Sequence, residues 1–224
     1  MDNKINYKEI EEKTRSSSWL CYINNKFAVF LVYKFQSLPL TANIITLFSF
    51  LFVLVASFSL LIFDSKILFI LFLITAYTFD NVDGIWARLK NQTSEFGRFF
   101  DLFLDKAKDY LVDLSFIIFY FNNISSYIAD QKLILIAILL YFICKGLFYI
   151  VRDSSLFKPI PINSEKGKIG LLCYGGAEKF MIVYTLSSFS FSFFAVYIIG
   201  YLFLYSTGIF TGLHKMLLSL KRPI

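Results

Sequence analysis

Long apolar stretches, broken by short polar segments, dominate this chain from residue 43 onward. A bilayer hydrocarbon core of about 30 Å takes roughly 20 apolar residues per helix. On that measure six spans are predicted, near 43–63, 67–88, 97–121, 132–152, 169–188 and 191–210. Asp64-Ser65, Asn122-Asn123, Lys158-Pro159 and the Ser-rich stretch at 187–192 supply the turns between them. Upstream, Trp19, Leu20, Ile23, Phe27, Phe30, Leu31 and Lys34 recur at helical spacing. They predict an amphipathic helix that either lies in the membrane interface or packs on the bundle. The first 18 residues mix acids and bases without an apolar run, so no signal peptide is expected.

The predicted fold class is therefore an all-α integral membrane protein of about six transmembrane helices with an N-terminal amphipathic interfacial helix. Its parts are a cytosolic tail and juxtamembrane helix at 1–42, a six-helix domain at 43–210 and a cytosolic C-terminal tail at 211–224.

Composition agrees with this reading. Of 224 residues, 57% are hydrophobic and only 17% charged, with 28 Phe, and the mean hydropathy is +0.64. Soluble domains sit near 45–50% apolar and about 25% charged. Cys21, Cys144 and Cys173 lack metal-ligand spacing and are too few for a disulfide scaffold.

The net charge of +6 follows topology. Lysines and arginines gather in the N-terminal segment, between spans 2 and 3, between spans 4 and 5 and at the C-terminus, while the opposite side offers only Lys66 and Lys132. The positive-inside rule then places both termini in the cytosol. No basic face with interleaved aromatics marks a nucleic-acid partner.

Charges inside spans are costly and point to function. Spans 2 and 3 hold a dense group of them. Asp80 and Asp83 are three residues apart and share a helix face, as do Asp101 and Asp105, four apart. A short turn joins the two helices, so four carboxylates can converge near the inner interface. Unpaired, they would repel one another and resist desolvation. Divalent Mg²⁺, Mn²⁺ or Ca²⁺ would relieve both costs; ion pairs to Arg88, Arg98, Lys106 and Lys108 are the alternative. Gly84 and Ala87 clear side-chain bulk beside the acids, and Arg88 can fork onto phosphate oxygens.

The stretch from Asp80 to Asp105 reads Asp-x2-Asp-Gly-x2-Ala-Arg-x8-Gly-x3-Asp-x3-Asp. It resembles the motif of the CDP-alcohol phosphotransferases, also called CDP-alcohol phosphatidyltransferases, with no position missing. Thr41-Ala42-Asn43-Ile44-Ile45-Thr46 is similar to that family's Thr-Pro-Asn-x-x-Thr entry into the first span, with Ala42 where Pro is usual. The amphipathic stretch also resembles the family's juxtamembrane helix.

The resemblance implies transfer of a phosphoalcohol group, usually phosphatidyl from CDP-diacylglycerol, to the hydroxyl of a polar alcohol with release of CMP. It implies Mg²⁺ or Mn²⁺, as two divalent ions, held by Asp80, Asp83, Asp101 and Asp105, with Asp105 also the general base. Gly84, Ala87, Arg88, Asn43 and Thr46 would contact the cytidine diphosphate. Lys145, Arg152 and Asp109 are acceptor candidates, and glycerol 3-phosphate or inositol phosphate would suit the cations. Glu178-Lys179 looks like a Glu-Arg pair of some phosphatidylinositol-phosphate synthases. The expected partners are the donor, the acceptor, membrane lipids and, from the family, a second copy in a homodimer. A membrane prenyltransferase acting on pyrophosphates and a cation transporter are the competing readings. The first typically needs two aspartate motifs in about nine spans, and the second leaves Gly84, Ala87, Arg88 and Gly97 without a reason.

Overall fold

The computed structural model describes residues 6–12, 14, 19–121, 124, 131–153, 182–200, 202, 203 and 206. Eight helices cover them: α1 Tyr7–Glu12, α2 Trp19–Phe35, α3 Ala42–Phe63, α4 Lys66–Leu89, α5 Glu95–Phe119, α6 Gln131–Asp153, α7 Tyr184–Phe189 and α8 Phe191–Gly200. Among the described residues, three helical stretches are long and apolar enough to cross a membrane: Ala42–Phe63, Lys66–Leu89 and Lys132–Ile150. Helix α5 has the length of a span at 25 residues, but its sequence is heavily charged. The 169–181 part of the predicted fifth span lies outside the described residues. So do Cys173, the Glu178-Lys179 pair, Lys158, Lys166, Lys168 and the 211–224 tail.

The helices form two compact units. In the first, α3 packs against α4 and α5, α2 against α4, α1 against α2, and α7 against α4. Apolar side chains such as Leu47, Leu51, Phe58 and Ile62 on α3 point outward, while Thr46, Ser49, Ser57 and Ser59 are buried. A bilayer, unlike water, allows that arrangement, because lipid solvates the apolar face and polar side chains can bond within the protein. Ser59 and Thr46 do so by donating to the backbone carbonyls of Ala56 at 2.7 Å and Ala42 at 3.1 Å. Phe52 meets Phe79 at 5.1 Å between α3 and α4, and Phe69 meets Phe116 edge-on at 5.2 Å between α4 and α5.

Two tight connections fix the register of α3, α4 and α5. Asp64 ends α3 in the left-handed region at φ 50°, and the Ser65 hydroxyl caps α4 by accepting from the Leu68 amide at 3.4 Å. After α4, Asn91 turns the chain at φ 53°. The Ser94 hydroxyl then accepts from the Gly97 amide at 2.9 Å and starts α5.

Helix α2 resolves the choice left open by its sequence. Its Ala28, Val29 and Val32 are buried in a cluster with Val82, Ile85 and Trp86 of α4, and Asn24 accepts from the Thr78 hydroxyl at 2.8 Å. Ile23, Phe27, Phe30 and Tyr33 stay exposed. The helix thus packs on the bundle through small and polar side chains and turns its large aromatics outward, the amphipathic face that a lipid interface would cover.

The second unit contains α6 and α8. Ile134, Tyr141, Lys145 and Tyr149 are the buried stripe of α6, while Leu135, Ile136, Leu139, Leu140 and Ile143 are exposed. Tyr120 stacks on Phe194 of α8 at 5.7 Å.

Candidate active site

The α4–α5 turn brings the C-terminal end of α4 to the N-terminal end of α5, beside the start of α3. A cavity of about 690 Å³ lies there. Its walls include Asn43 and Thr46 of α3, Gly84, Ala87 and Arg88 of α4, and Asp101 of α5. All five residues expected to contact cytidine diphosphate therefore face one space. The first turns of two long helices, α3 and α5, border it, and helix N-termini favour anions.

Its closeness depends on missing side chains. A Cβ at Gly97 would lie 3.0 Å from the Ser94 hydroxyl and 3.2 Å from Asn43 Oδ1, so glycine lets α5 start against α3. A Cβ at Gly84 would lie 3.3 Å from Arg88 Nη1, which places the guanidinium over the gap that Gly84 leaves.

Ala42 has a role its usual replacement could not fill. Its backbone amide donates to Gln92 Oε1 at 3.0 Å, and proline has no such donor. The bond ties the α4–α5 turn back to α3. Gln92 carries no motif signal, so sequence reasoning missed it.

One helical turn deeper, the carboxylates converge. One oxygen each from Asp80, Asp101 and Asp105 lies within 4.8 Å of the others. Asp83 is not one of these three and lines the cavity wall. It is 6% exposed, and its Oδ2 is buried without a hydrogen-bond partner. Asp101 belongs to both groups and links the cavity to the triad.

Lys108 enters the triad from α5. Its ammonium pairs with Asp80, donates to Asp105 Oδ1 at 2.8 Å and donates to Ser49 Oγ of α3 at 3.1 Å. The ion-pair alternative is thus realised in part, by one base on two acids. It leaves Asp83 and Asp101 outside these bonds.

Further along α5, the Tyr184 hydroxyl of α7 reaches Asp113 at 2.9 Å and Asp109 at 3.5 Å. Asp109 is therefore part of a polar contact between α5 and α7. Lys145 is wholly buried in the second unit, its ammonium about 6 Å from the ring centres of Tyr141 and Tyr149. Arg152 is described in its backbone alone, so its side chain adds no geometry.

The acids fit a divalent cation. Three carboxylate oxygens lie close enough to share one ion, a fourth carboxylate nearby has a buried unpartnered oxygen, and all-oxygen donor sets suit hard divalent ions.

The sequence profile of the CDP-alcohol phosphatidyltransferases matches residues 39–213. That region covers most of the chain and contains every residue of the cavity and the triad. No curated protein matches the chain. The chain belongs to the CDP-alcohol phosphatidyltransferase family. It is an integral membrane transferase of phospholipid synthesis, which moves a phosphoalcohol group from a CDP-alcohol to an alcohol acceptor. Membership decides against the prenyltransferase and transporter readings.

Proposed function

We propose that this enzyme transfers the phosphatidyl group of CDP-diacylglycerol to the hydroxyl of a polar alcohol at the cytosolic face of the membrane. The observation that carries this reading is Asp101, which joins a cavity of nucleotide size to a carboxylate triad one turn deeper.

In this reading Asn43, Thr46, Gly84 and Ala87 seat the cytidine diphosphate, and Arg88 forks onto its phosphate oxygens. Asp80, Asp83, Asp101 and Asp105 hold Mg²⁺ or Mn²⁺, and four carboxylates suffice for two ions. Bound there, the divalent charge neutralises the pyrophosphate and its leaving group. Asp105, one turn deeper than Asp101, takes the proton from the acceptor hydroxyl. That oxygen bonds to the β-phosphorus while the bond from this phosphorus to the oxygen bridging the two phosphates breaks. CMP leaves with the bridging oxygen and its electron pair. The transfer is direct, without a covalent enzyme intermediate.

The positive-inside pattern supports a cytosolic active site with both termini on that side. A phosphorylated acceptor, such as glycerol 3-phosphate or inositol phosphate, is proposed from the sequence alone, where Lys145 and Arg152 stand seven residues apart. The working form is a homodimer, a reading that rests on family resemblance.

The test is a purified-enzyme assay in detergent with Mn²⁺, CDP-diacylglycerol and a panel of alcohols: glycerol 3-phosphate, inositol phosphate, inositol and serine. Stoichiometric CMP and a new phospholipid with one phosphorylated acceptor are expected. CMP formed only when a soluble CDP-alcohol replaces CDP-diacylglycerol would overturn the donor assignment.

A further inference from the structure

The buried ammonium of Lys108 has a bonding pattern that a merely neutralising base would not need. An ammonium has three donors and no acceptor. Ser49 of α3, Asp80 of α4 and Asp105 of α5 supply one acceptor each. The three helices that form the site thus meet at one positive charge. The Lys108 side chain is 5% exposed, whereas the side chains of Asp105 and Asp80 are 40% and 27% exposed. The cation lies behind the acids, and the acids keep an open side. Two of the three triad members are its ion-pair partners.

We infer that Lys108 is a tethered counter-cation that holds Asp80 and Asp105 together when no divalent ion is bound and competes with that ion for their charge. The inference rests on the metal reading of the proposed function. Without Lys108, the triad would bring three carboxylates within 4.8 Å with no cation among them, and they would repel one another. With Lys108, the site is assembled beforehand, at the expense of divalent affinity. Linkage makes the competition reciprocal: whatever the ammonium takes from the ion's affinity, the ion takes from the ammonium's hold. The arrangement makes the helices' packing independent of the metal supply while keeping the metal exchangeable.

The experiment is Mn²⁺ binding to detergent-solubilised wild type, Lys108→Met and Lys108→Arg, read by electron paramagnetic resonance of free Mn²⁺. Thermal unfolding is followed in parallel, with chelator and with saturating Mn²⁺. Lys108→Met is expected to bind Mn²⁺ about tenfold or more tightly, to melt lower than wild type in chelator, and to regain more from Mn²⁺ than wild type does. Lys108→Arg, which keeps the charge, should bind Mn²⁺ within about threefold of wild type. Equal or weaker binding by Lys108→Met overturns the inference. So does a Lys108→Met protein that fails to fold even when purified in Mn²⁺, because a divalent ion should then replace the ammonium. Wild type that binds no Mn²⁺ overturns instead the metal reading on which the inference rests.

Discussion

The Tyr184 hydroxyl donates to the Asp113 carboxylate at 2.9 Å, with both residues wholly buried. This bond joins α7 to the far end of α5, the helix that carries two of the triad's three acids. Tyr184 also packs its ring on Phe116 at 5.9 Å. Tyr184→Phe should keep that packing and remove the donor. A loss of about 1–2 kcal/mol in stability is expected, in the upper range for polar contacts between membrane helices. Thermal unfolding in detergent measures it. The KM for the CDP-alcohol should stay within about twofold, because α7 does not line the cavity.

Gly97→Ala should raise that KM by about tenfold or more. The new methyl would sit 3.0 Å from the Ser94 hydroxyl and 3.2 Å from Asn43 Oδ1, so both side chains must give way by a few tenths of an ångström, which shifts Asn43 in the cavity wall. Steady-state kinetics at fixed acceptor concentration would show it, with a smaller change in kcat.

Arg88→Lys should weaken donor binding by about tenfold, since a single ammonium cannot reproduce a bidentate fork on phosphate. Gly84→Ala tests the same contact from the other side, because its methyl would press on Arg88 Nη1 at 3.3 Å. If both variants bind CDP as wild type does in equilibrium dialysis, Arg88 is not a phosphate ligand.

Gln92→Ala should cost about 1 kcal/mol of stability by leaving the Ala42 amide without its side-chain acceptor. Ala42→Pro removes the donor instead. In the Gln92→Ala background the proline should cost little more, and a double-mutant cycle of melting temperatures measures that coupling.

Much of the fold is legible in the sequence. The edges of α3, α4 and α6 lie within a residue or two of the apolar runs that predict them, because a bilayer leaves little freedom in where such runs stop. The four motif aspartates come from spacing alone, and Lys108 is among the four bases that the ion-pair alternative names. What spacing does not give is helix rotation. That Asp80 and Ser49 complete the coordination of Lys108, that Asp83 lines the cavity wall, and that α2 packs through Ala28 and Val32 instead of its aromatics all depend on how helices turn toward one another. The link from Gln92 to Ala42 is hidden for another reason: it offsets a departure from the family pattern, and nothing local marks it.

The most direct test of the carboxylates' roles is CMP release as a function of Mn²⁺ concentration, in wild type and in Asp105→Asn, with CDP-diacylglycerol and the active alcohol. Wild type should be silent in chelator and rise to a plateau as Mn²⁺ is added. Asp105→Asn, which keeps an acceptor for Lys108 but is a far weaker base, should fall by at least about 10²-fold even at saturating Mn²⁺. CMP release that persists in chelator would contradict a metal-dependent transfer, and release that survives the Asp105→Asn change at saturating metal would contradict Asp105 as the general base.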